Sequence, residues 1–424
     1  MYTYGRRDSY RSNAGRNNYS GGGYSSRSSA TAAGKDILQD LVLVGAQTLS
    51  KPRPSNTRSE ADAACHIENV KYVASYNWVD SRDPTILVPG SPGVWRSLPM
   101  PFRVRPDSGL VYIDQNGARA PSCPLLPLFR AADTMKERRG VDTVDDWSAV
   151  DVVTDRNNLR KLLSWLGSGA RREDFRIDVQ LAGARTLLFQ RWEPRASEIV
   201  GEGRGFGHSY EEHCTTTPPG LERWKSTGHH RVISYDLAGM KLVVRFEVDA
   251  CYPSTPAGED TSDALADALS SLSVSRPSAE AGGLASSGVT VVEAGTVVPQ
   301  SSLIELKTRS VRNADSFDWA DAYLQLYLGQ TPHSIMGVHQ FGTFEERREK
   351  KLDSASLKHV ARTQQRYLQQ LGQLLGQIQR LVVERGDAKL SVLCRSGVLQ
   401  LVERQSTGLL LPLEVLERFS TQSE

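Results

Sequence analysis

Two short stretches decide the fold of this chain: RFEVD at Arg245–Asp249 and IELKT at Ile304–Thr308. In an extended strand, alternate side chains face the same way. In the first stretch, the apolar side chains share one face, which leaves Glu247 and Asp249 on the other. The glutamate and the lysine of the second stretch likewise point away from its apolar residues. Two such strands side by side would bring three carboxylates and one ammonium group into a small volume.

Carboxylates that lie so close repel one another, and burying an unpaired charge costs on the order of several kcal/mol. A divalent cation removes this conflict, and oxygen ligands select Mg²⁺ or Mn²⁺ rather than zinc. We therefore expect Glu247, Asp249 and Glu305 to serve a metal centre. A second ion would clamp a leaving oxygen, so two ions are expected. Lys307 would orient the attacking water or neutralise developing negative charge.

Each stretch taken alone also fits an ordinary salt-bridged strand face, because motifs this short often occur by chance. Their order makes the difference. An aspartate followed by a Glu-x-Lys strand is similar to the centre of the PD-(D/E)XK nuclease superfamily. Asp249 and Glu305 lie 56 positions apart, and a low-complexity stretch at residues 253–288 accounts for most of that separation.

Composition sets limits on the class of protein. The 424 residues carry 51 basic and 49 acidic side chains, a net charge of +2, so attraction to nucleic acid must come from a local groove or tail. The five cysteines are widely spaced with no paired motif, which fits a reducing compartment. No apolar run is long enough for a bilayer, and no membrane association is expected. We expect the nucleus or the cytoplasm, and the arginine-rich start keeps a mitochondrial address open.

The chain divides into a tail and one domain. Residues 1–35 are rich in Gly, Ser, Tyr and Arg, which predicts disorder, either as a solvated tail or as an auxiliary RNA-binding arm. Residues 36–424 are expected to form a single domain, with a surface insertion at residues 253–288. A long leucine-rich helix and a final hairpin are predicted within residues 354–404, the helix packing on the core rather than forming a coiled coil.

Further elements are predicted around the acidic stretches. Residues 148–154 favour a strand that leads into a helix with Leu159, Leu162, Leu163 and Leu166 on one face. A hairpin is indicated at residues 231–235 and 241–249. The segment 303–308 favours a strand, and residues 317–328 a helix. Together these elements predict an α+β fold, with mixed β-sheets and flanking helices around a PD-(D/E)XK nuclease-like core.

Additional motifs make the chain resemble the DXO-type family of RNA decapping nucleases, from about Ser148 to Phe344. They are TDRNNLRKLL at Thr154–Leu163, GHSYE at Gly207–Glu211, the two acidic strands, and QLYLGQTPHSIMG at Gln325–Gly337. The resemblance implies that Arg156 and Gln325 hold the substrate. It also implies that Glu211, Asp249, Glu305 and the Leu306 backbone carbonyl bind metal, with Glu247 acting directly or through water.

The same resemblance implies a metal-dependent hydrolase of RNA 5′ ends. Its reaction would be decapping, removal of a 5′ triphosphate or pyrophosphate, or 5′-to-3′ digestion. A 5′-to-3′ exoribonuclease is an expected protein partner. The alternative is a catalytically weak protein that binds RNA 5′ ends and activates such a partner.

The chain departs from the family pattern at three positions near the expected pocket. Phe246 and Asn157 stand where the family usually has glycine, and His208 fills a hydrophobic slot. The adjacent His229 and His230 are interpreted as structural or exposed, since neighbours on a strand face opposite ways and cannot share one metal.

Overall fold

The computed structural model describes residues 34–53, 65–140, 143–167, 173–201, 205–253 and 288–420. The strands are β1 Leu41–Leu49, β2 Ile67–Val79, β3 Thr85–Pro89, β4 Gly93–Trp95, β5 Phe102–Arg103, β6 Gly109–Tyr112, β7 Val152–Asp155, β8 Phe175–Ala182, β9 Thr186–Arg191, β10 Ser197–Val200, β11 Thr215–Thr216, β12 Ser226–Leu237, β13 Met240–Val248, β14 Ala250–Cys251, β15 Thr290–Ala294, β16 Leu303–Ser310, β17 His333–Gln340, β18 Thr343–Lys351, β19 Leu390–Arg395 and β20 Val398–Arg404. The helices are α1 Gln115–Arg119, α2 Leu126–Arg139, α3 Arg156–Leu166, α4 Gly207–Cys214, α5 Trp319–Gly329, α6 Lys358–Arg385 and α7 Leu413–Leu416.

The larger sheet has eleven strands in the order β1-β20-β19-β8-β9-β7-β13-β12-β2-β3-β15. Strand β13 lies near its middle, parallel to β7 and antiparallel to β12. Both faces of the sheet are covered. Helices α3, α5 and α6 pack on the face that carries Leu242, Val244 and Phe246. Helix α2 packs on the face that carries Val243. The apolar face predicted for the first acidic strand is therefore confirmed.

The smaller sheet has seven strands in the order β11-β4-β14-β16-β17-β18-β5. Strand β14 pairs with β16, so that Ala250 lies opposite Ile304. Strand β13 ends at Val248 and β14 begins at Ala250, which leaves Asp249 as the single residue between the two sheets. The two acidic stretches thus lie at the junction of the sheets, which brings segments that are distant in sequence close together.

The predicted α+β class with large mixed sheets is confirmed. The long helix and the final hairpin also form, and the leucines of α6 are buried against the large sheet. The predicted strand at residues 148–154 is partly wrong. A 3₁₀ turn occupies Trp147–Ala149 because Asp146 accepts a hydrogen bond from the Ser148 N–H at 2.8 Å, and the strand starts only at Val152.

The predictions for the tail and the insertion concern residues 1–33 and 254–287, which lie outside the described residues. From Lys35 onward the chain forms one compact unit. The described helices include none with the length and apolar character needed to cross a membrane.

Candidate metal centre

The acidic residues of the first stretch lie where β13 leaves the large sheet. Glu247 is the penultimate residue of β13, and Asp249 follows its end. The Leu306 backbone N–H of β16 donates a hydrogen bond to Asp249 Oδ2 at 2.6 Å. This contact fixes the Asp249 carboxylate beside the strand that carries Glu305. Leu306 was expected to act through its carbonyl, and the structure adds a role for its N–H group.

Glu305 is the best-anchored acid of the group, with only 3 % of its surface exposed. Its Oε1 accepts hydrogen bonds from Lys307 Nζ and Gln325 Nε2, each at 2.5 Å. Its Oε2 lies 3.3 Å from Arg156 Nη1. Three residues named from the sequence, two of them from distant motifs, therefore contact one carboxylate. Arg156 and Gln325, expected to hold substrate, contact Glu305 directly.

Arg156 is the first residue of α3. Two backbone carbonyl groups hold its guanidinium in place, in addition to the charge of Glu305. Its Nη1 donates to the Gln325 carbonyl at 3.3 Å, and its Nη2 to the Glu247 carbonyl at 3.4 Å. The guanidinium lies over the Phe246 ring, 5.2 Å from its centroid. A Cβ on Gly329 would come within 3.0 Å of Arg156 Nη1 and 3.3 Å of the Phe246 ring. The Phe246 ring thus packs against the Arg156 guanidinium. The absence of a side chain at Gly329 leaves the space that both groups occupy.

Glu211 reaches the group from helix α4. The preceding Tyr210 is fully buried, and its ring packs 4.5 Å from that of Phe344. Gly337 of β17 makes this packing possible, since a Cβ there would lie 2.6 Å from the Tyr210 ring. Tyr210 therefore anchors α4 against the smaller sheet. His208 is 60 % exposed, so the position where the family pattern has a hydrophobic residue faces solvent here.

Burial and neighbouring carboxylates shift the pKa values of these acids. Desolvation raises the pKa of Asp249 well above its usual range, and Glu305 and Glu247 add to the rise. Partial burial likewise raises the pKa of Glu211, helped by Asp249 and Glu247. Desolvation also raises the pKa of Glu247, with Glu305 contributing. These three pKa values are raised first because burial disfavours the charged carboxylate, and second because negative charge is crowded around each group.

Glu305 behaves in the opposite way. Burial alone would raise its pKa, but the Lys307 ammonium and the Arg156 guanidinium overcome that effect and lower it. The pKa of Glu305 is therefore lowered while those of its three neighbours are raised, and its negative charge contributes to those rises.

The donor set fits a hard divalent cation. Glu211, Glu247, Asp249 and Glu305 offer only oxygen, and their crowding leaves an excess of negative charge that such a cation would neutralise. Within the described ranges, no three His, Cys, Asp or Glu side chains are already grouped as a ligand set for one ion. Glu305 is instead engaged by Lys307, Gln325 and Arg156.

Substitution of Asp249 by asparagine tests this electrostatic crowding. A carboxyl whose pKa is raised by folding binds protons more tightly in the folded state, so its contribution to stability falls as pH rises above the unfolded value. At neutral pH we expect Asp249→Asn to raise the metal-free stability by on the order of 1 kcal/mol. The melting shift caused by Mn²⁺ should largely disappear. Asp315→Asn, at a side chain 87 % exposed, is the control. A less stable variant that still responds to Mn²⁺ would contradict this assignment.

Asp107, which the sequence did not mark as a functional residue, stabilises the helix that carries Glu211. Asp107 is buried, and its two carboxylate oxygens accept hydrogen bonds from the Gly207 and Ser209 N–H groups, each at 2.9 Å. It thereby caps helix α4 from about a hundred residues away in the chain. No sequence signal marked it, because capping motifs are recognised from residues next to the helix.

Loss of this cap should loosen α4. We expect Asp107→Ala to lower the free energy of unfolding by about 1–2 kcal/mol and to weaken Mn²⁺ binding through Glu211. Asp107→Asn keeps one acceptor oxygen and should lose less on both counts. Chemical unfolding and metal titration of the two variants measure this difference, and equal behaviour would show that Asp107 does not position the helix.

The neighbouring histidines are structural, as interpreted. His229 Nδ1 lies 2.7 Å from Asn77 Oδ1, while the His230 ring stacks on Tyr76 at 5.1 Å. Both are buried, and burial lowers the pKa of His229 to about 3. They are neutral at physiological pH and face opposite sides of β12.

Several solved structures share this fold. Candida albicans Rai1 in complex with pU5-Mn²⁺ matches with a TM-score of 0.53 and 13 % identity, over 88 % of this chain and 99 % of that chain. S. pombe Rai1 in complex with 3′-FADP gives 0.52 and 13 % identity, over 85 % and 99 %. Scheffersomyces stipitis Rai1 in complex with (3′-NADP)⁺ and calcium ion gives 0.50 and 14 % identity, over 89 % and 94 %.

At these identities the likeness establishes the fold. The chain shares the fold of these Rai1 structures, so the fold that the resemblance to DXO-type proteins implied is confirmed. No curated protein matches the chain in sequence. The family model described as "Domain of unknown function (DUF8563)" matches residues 53–397, and the chain belongs to that family.

Proposed function

We propose that this protein is a metal-dependent hydrolase that acts on the 5′ ends of RNA. The observation that carries the proposal is the meeting of Arg156, Lys307 and Gln325 on the buried Glu305 carboxylate, with Asp249 tied to the adjacent residue of the same strand. It supports the proposal because positive, negative and amide groups lie together on one strand and its neighbours.

Each residue has a role in this proposal. Glu211, Glu247, Asp249 and Glu305 would hold two Mg²⁺ or Mn²⁺ ions, with the Leu306 carbonyl as a further ligand. The ions would supply charge neutralisation at the phosphate and a more acidic water. Arg156 and Gln325 would leave Glu305 to hold the phosphate and the substrate backbone. Lys307 would orient the attacking water or stabilise developing negative charge.

Support for RNA as the substrate comes from the fold and from what its relatives contain. The C. albicans Rai1 structure holds pU5 and Mn²⁺, and the S. stipitis structure holds (3′-NADP)⁺ and calcium. The proposed reactions are decapping, removal of a 5′ triphosphate or pyrophosphate, and 5′-to-3′ digestion. An exoribonuclease partner belongs to the same proposal.

One observation favours a second candidate, a catalytically weak protein that binds RNA 5′ ends and activates a partner exoribonuclease. All three neighbours of Glu305 are engaged with it, and the described part of the chain contains no ready three-ligand set. If those contacts persisted with RNA bound, the centre would bind ends without cleaving them.

The test incubates the purified protein with matched RNAs that carry a cap, a 5′ triphosphate or a 5′ monophosphate, with Mn²⁺, Mg²⁺ or a chelator. We expect Mn²⁺-dependent release of product from at least one RNA and none with the chelator. A DNA of the same sequence serves as a competitor. Binding of RNA ends without product in any condition would reject the hydrolase and favour the second candidate.

A further inference from the structure

An arginine continues the row of site residues along β16. Alternate side chains of a strand share a face, so Glu305, Lys307 and Arg309 point the same way. Their pairing with β17 agrees, because Met336 lies opposite Lys307, Val338 lies opposite Arg309, and both partners belong to one apolar cluster. Arg309 therefore follows Lys307 at about 7 Å along the strand.

The Arg309 guanidinium is held in a fixed place. It lies over the Phe317 ring, 4.7 Å from its centroid, and its Nη1 donates a hydrogen bond to the Thr308 carbonyl at 2.9 Å. Arg309 and Phe317 are both partly exposed, so a ligand can reach the guanidinium from solvent. An arginine that is already ordered loses less conformational freedom when it binds a ligand.

The Thr308 carbonyl points to the edge of β16 that faces the metal centre. On this edge Ile304 pairs with β14, and the Leu306 N–H donates its hydrogen bond to Asp249. Backbone groups of alternate residues in a strand point to the same side, so the Leu306 and Thr308 carbonyls share this edge. No described strand pairs with it beyond Ile304. The carbonyl that holds Arg309 therefore lies about 7 Å from the Leu306 carbonyl, a proposed metal ligand.

The charge of Arg309 is not offset by an acidic partner among the described side chains. Arg348 of β18 gives the contrast. It lies on the same face of the smaller sheet and is paired with Asp315 and Glu346, each at 2.7 Å. Arg309 thus keeps a positive charge that an anionic ligand can neutralise, and a planar guanidinium matches the geometry of a phosphate.

We propose that Arg309 binds the RNA phosphate next to the one at the metal centre, so that the RNA backbone follows the open edge of β16 from Leu306 to Thr308. Neighbouring phosphates of a single strand are separated by about the same distance as alternate residues of a β-strand. This inference rests on the proposed function, because it assumes that another phosphate of the same RNA occupies the centre.

The experiment measures how RNA binding depends on salt in the wild type and in Arg309→Met. The probe is a short single-stranded RNA with a 5′ monophosphate, followed by fluorescence anisotropy with Ca²⁺ and checked on a gel for intactness. Each lost phosphate contact on a single strand reduces the slope of log affinity against log salt by about 0.7. We expect this reduction, with about tenfold weaker binding at low salt. A wild-type slope in Arg309→Met would overturn the proposal.

Arg348→Met is the matched control. Like Arg309, this arginine contacts the segment just before α5, through Asp315, so its loss tests whether that segment alone matters. Its salt slope should equal that of the wild type. Arg309→Lys keeps the charge without the planar group, and should keep the slope while binding more weakly. If Arg309→Met does not fold, Arg309→Gln provides the same slope measurement.

A second measurement locates the contact by the number of phosphates in the ligand. Uridine 5′-monophosphate has one phosphate and cannot reach both places, whereas pUpU has two. The gain in affinity from the first ligand to the second should be largely lost in Arg309→Met. An undiminished gain would overturn the assignment of Arg309 to the neighbouring phosphate.

Failure of the proposed function looks different. If the wild type cleaves no RNA but Arg309→Met still reduces the salt slope, the hydrolase is rejected and the Arg309 contact stands. If the wild type cleaves RNA and the two slopes agree, the Arg309 contact is rejected and the hydrolase stands.

Discussion

Replacing Glu305 with glutamine is expected to reduce Mn²⁺-dependent cleavage of RNA by at least about a thousandfold. Lys307 and Arg156 lower the pKa of Glu305 against the effect of burial, so both cations favour its charged form. Glutamine keeps the size of the side chain but removes the charge that would hold a cation. The measurement is the initial rate of product release, with metal titrated to saturation.

Folding must be measured beside activity, since loss of the Glu305 charge leaves Arg156 without its buried partner. Glu346→Gln, on the smaller sheet at a side chain 50 % exposed, is the control and should keep full activity. If Glu305→Gln does not fold, Asp249→Asn provides the same activity test in a protein expected to be stable. Wild-type turnover in either folded variant would show that these acids do not form the reaction centre.

Replacing Arg245 with methionine is expected to cost about 3–5 kcal/mol in the free energy of unfolding. Arg245 is fully buried and forms a two-pronged ion pair with Asp155, with bonds of 2.6 Å and 2.9 Å. Its Nη1 also donates to the Pro124 carbonyl at 2.7 Å. Methionine would leave the Asp155 carboxylate largely buried without its partner.

An exposed ion pair serves as the control, because it shows what a similar substitution costs when the pair is not buried. Lys71 and Asp145 lie 2.7 Å apart with side chains 57 % and 68 % exposed, so Lys71→Met should change stability by less than about 1 kcal/mol. The double variant Arg245→Met with Asp155→Leu should recover part of the loss, because neither charge is then stranded. Chemical unfolding checks all three, and a small loss for Arg245→Met alone would contradict this role.

The Arg245–Asp155 ion pair also affects the geometry of the proposed metal centre. Asp155 immediately precedes Arg156, and Arg245 lies two residues before Glu247 on β13. The ion pair joins the ends of β7 and β13, and thereby sets the register in which Arg156 reaches the Glu247 carbonyl. Folding and the geometry of the proposed centre therefore depend on the same interaction.

The acidic strands were predictable because their alternation is local. Period-two patterning assigned Glu247 and Asp249 to one face, and the leucines of α3 and α6 marked their buried faces. Arg156 and Gln325 were named only because the motifs resemble those of the DXO-type family, and their contacts with Glu305 were not predicted.

Other features had no local signal. Strand β2 is buried on both faces only over its second half, from Val73 to Val79, so its polar Ser75 and Asn77 gave no alternation. The passage of the chain between two sheets at Asp249 depends on strand pairing across the molecule.

The most direct test is calorimetric titration of the purified wild-type protein with Mn²⁺, repeated with Glu305→Gln. We expect saturable binding of two ions by the wild type, with affinity that rises with pH because the raised pKa values of Asp249 and Glu211 make protons compete with metal. The variant should bind much more weakly. A wild type that takes up no Mn²⁺ at neutral pH would contradict the metal centre.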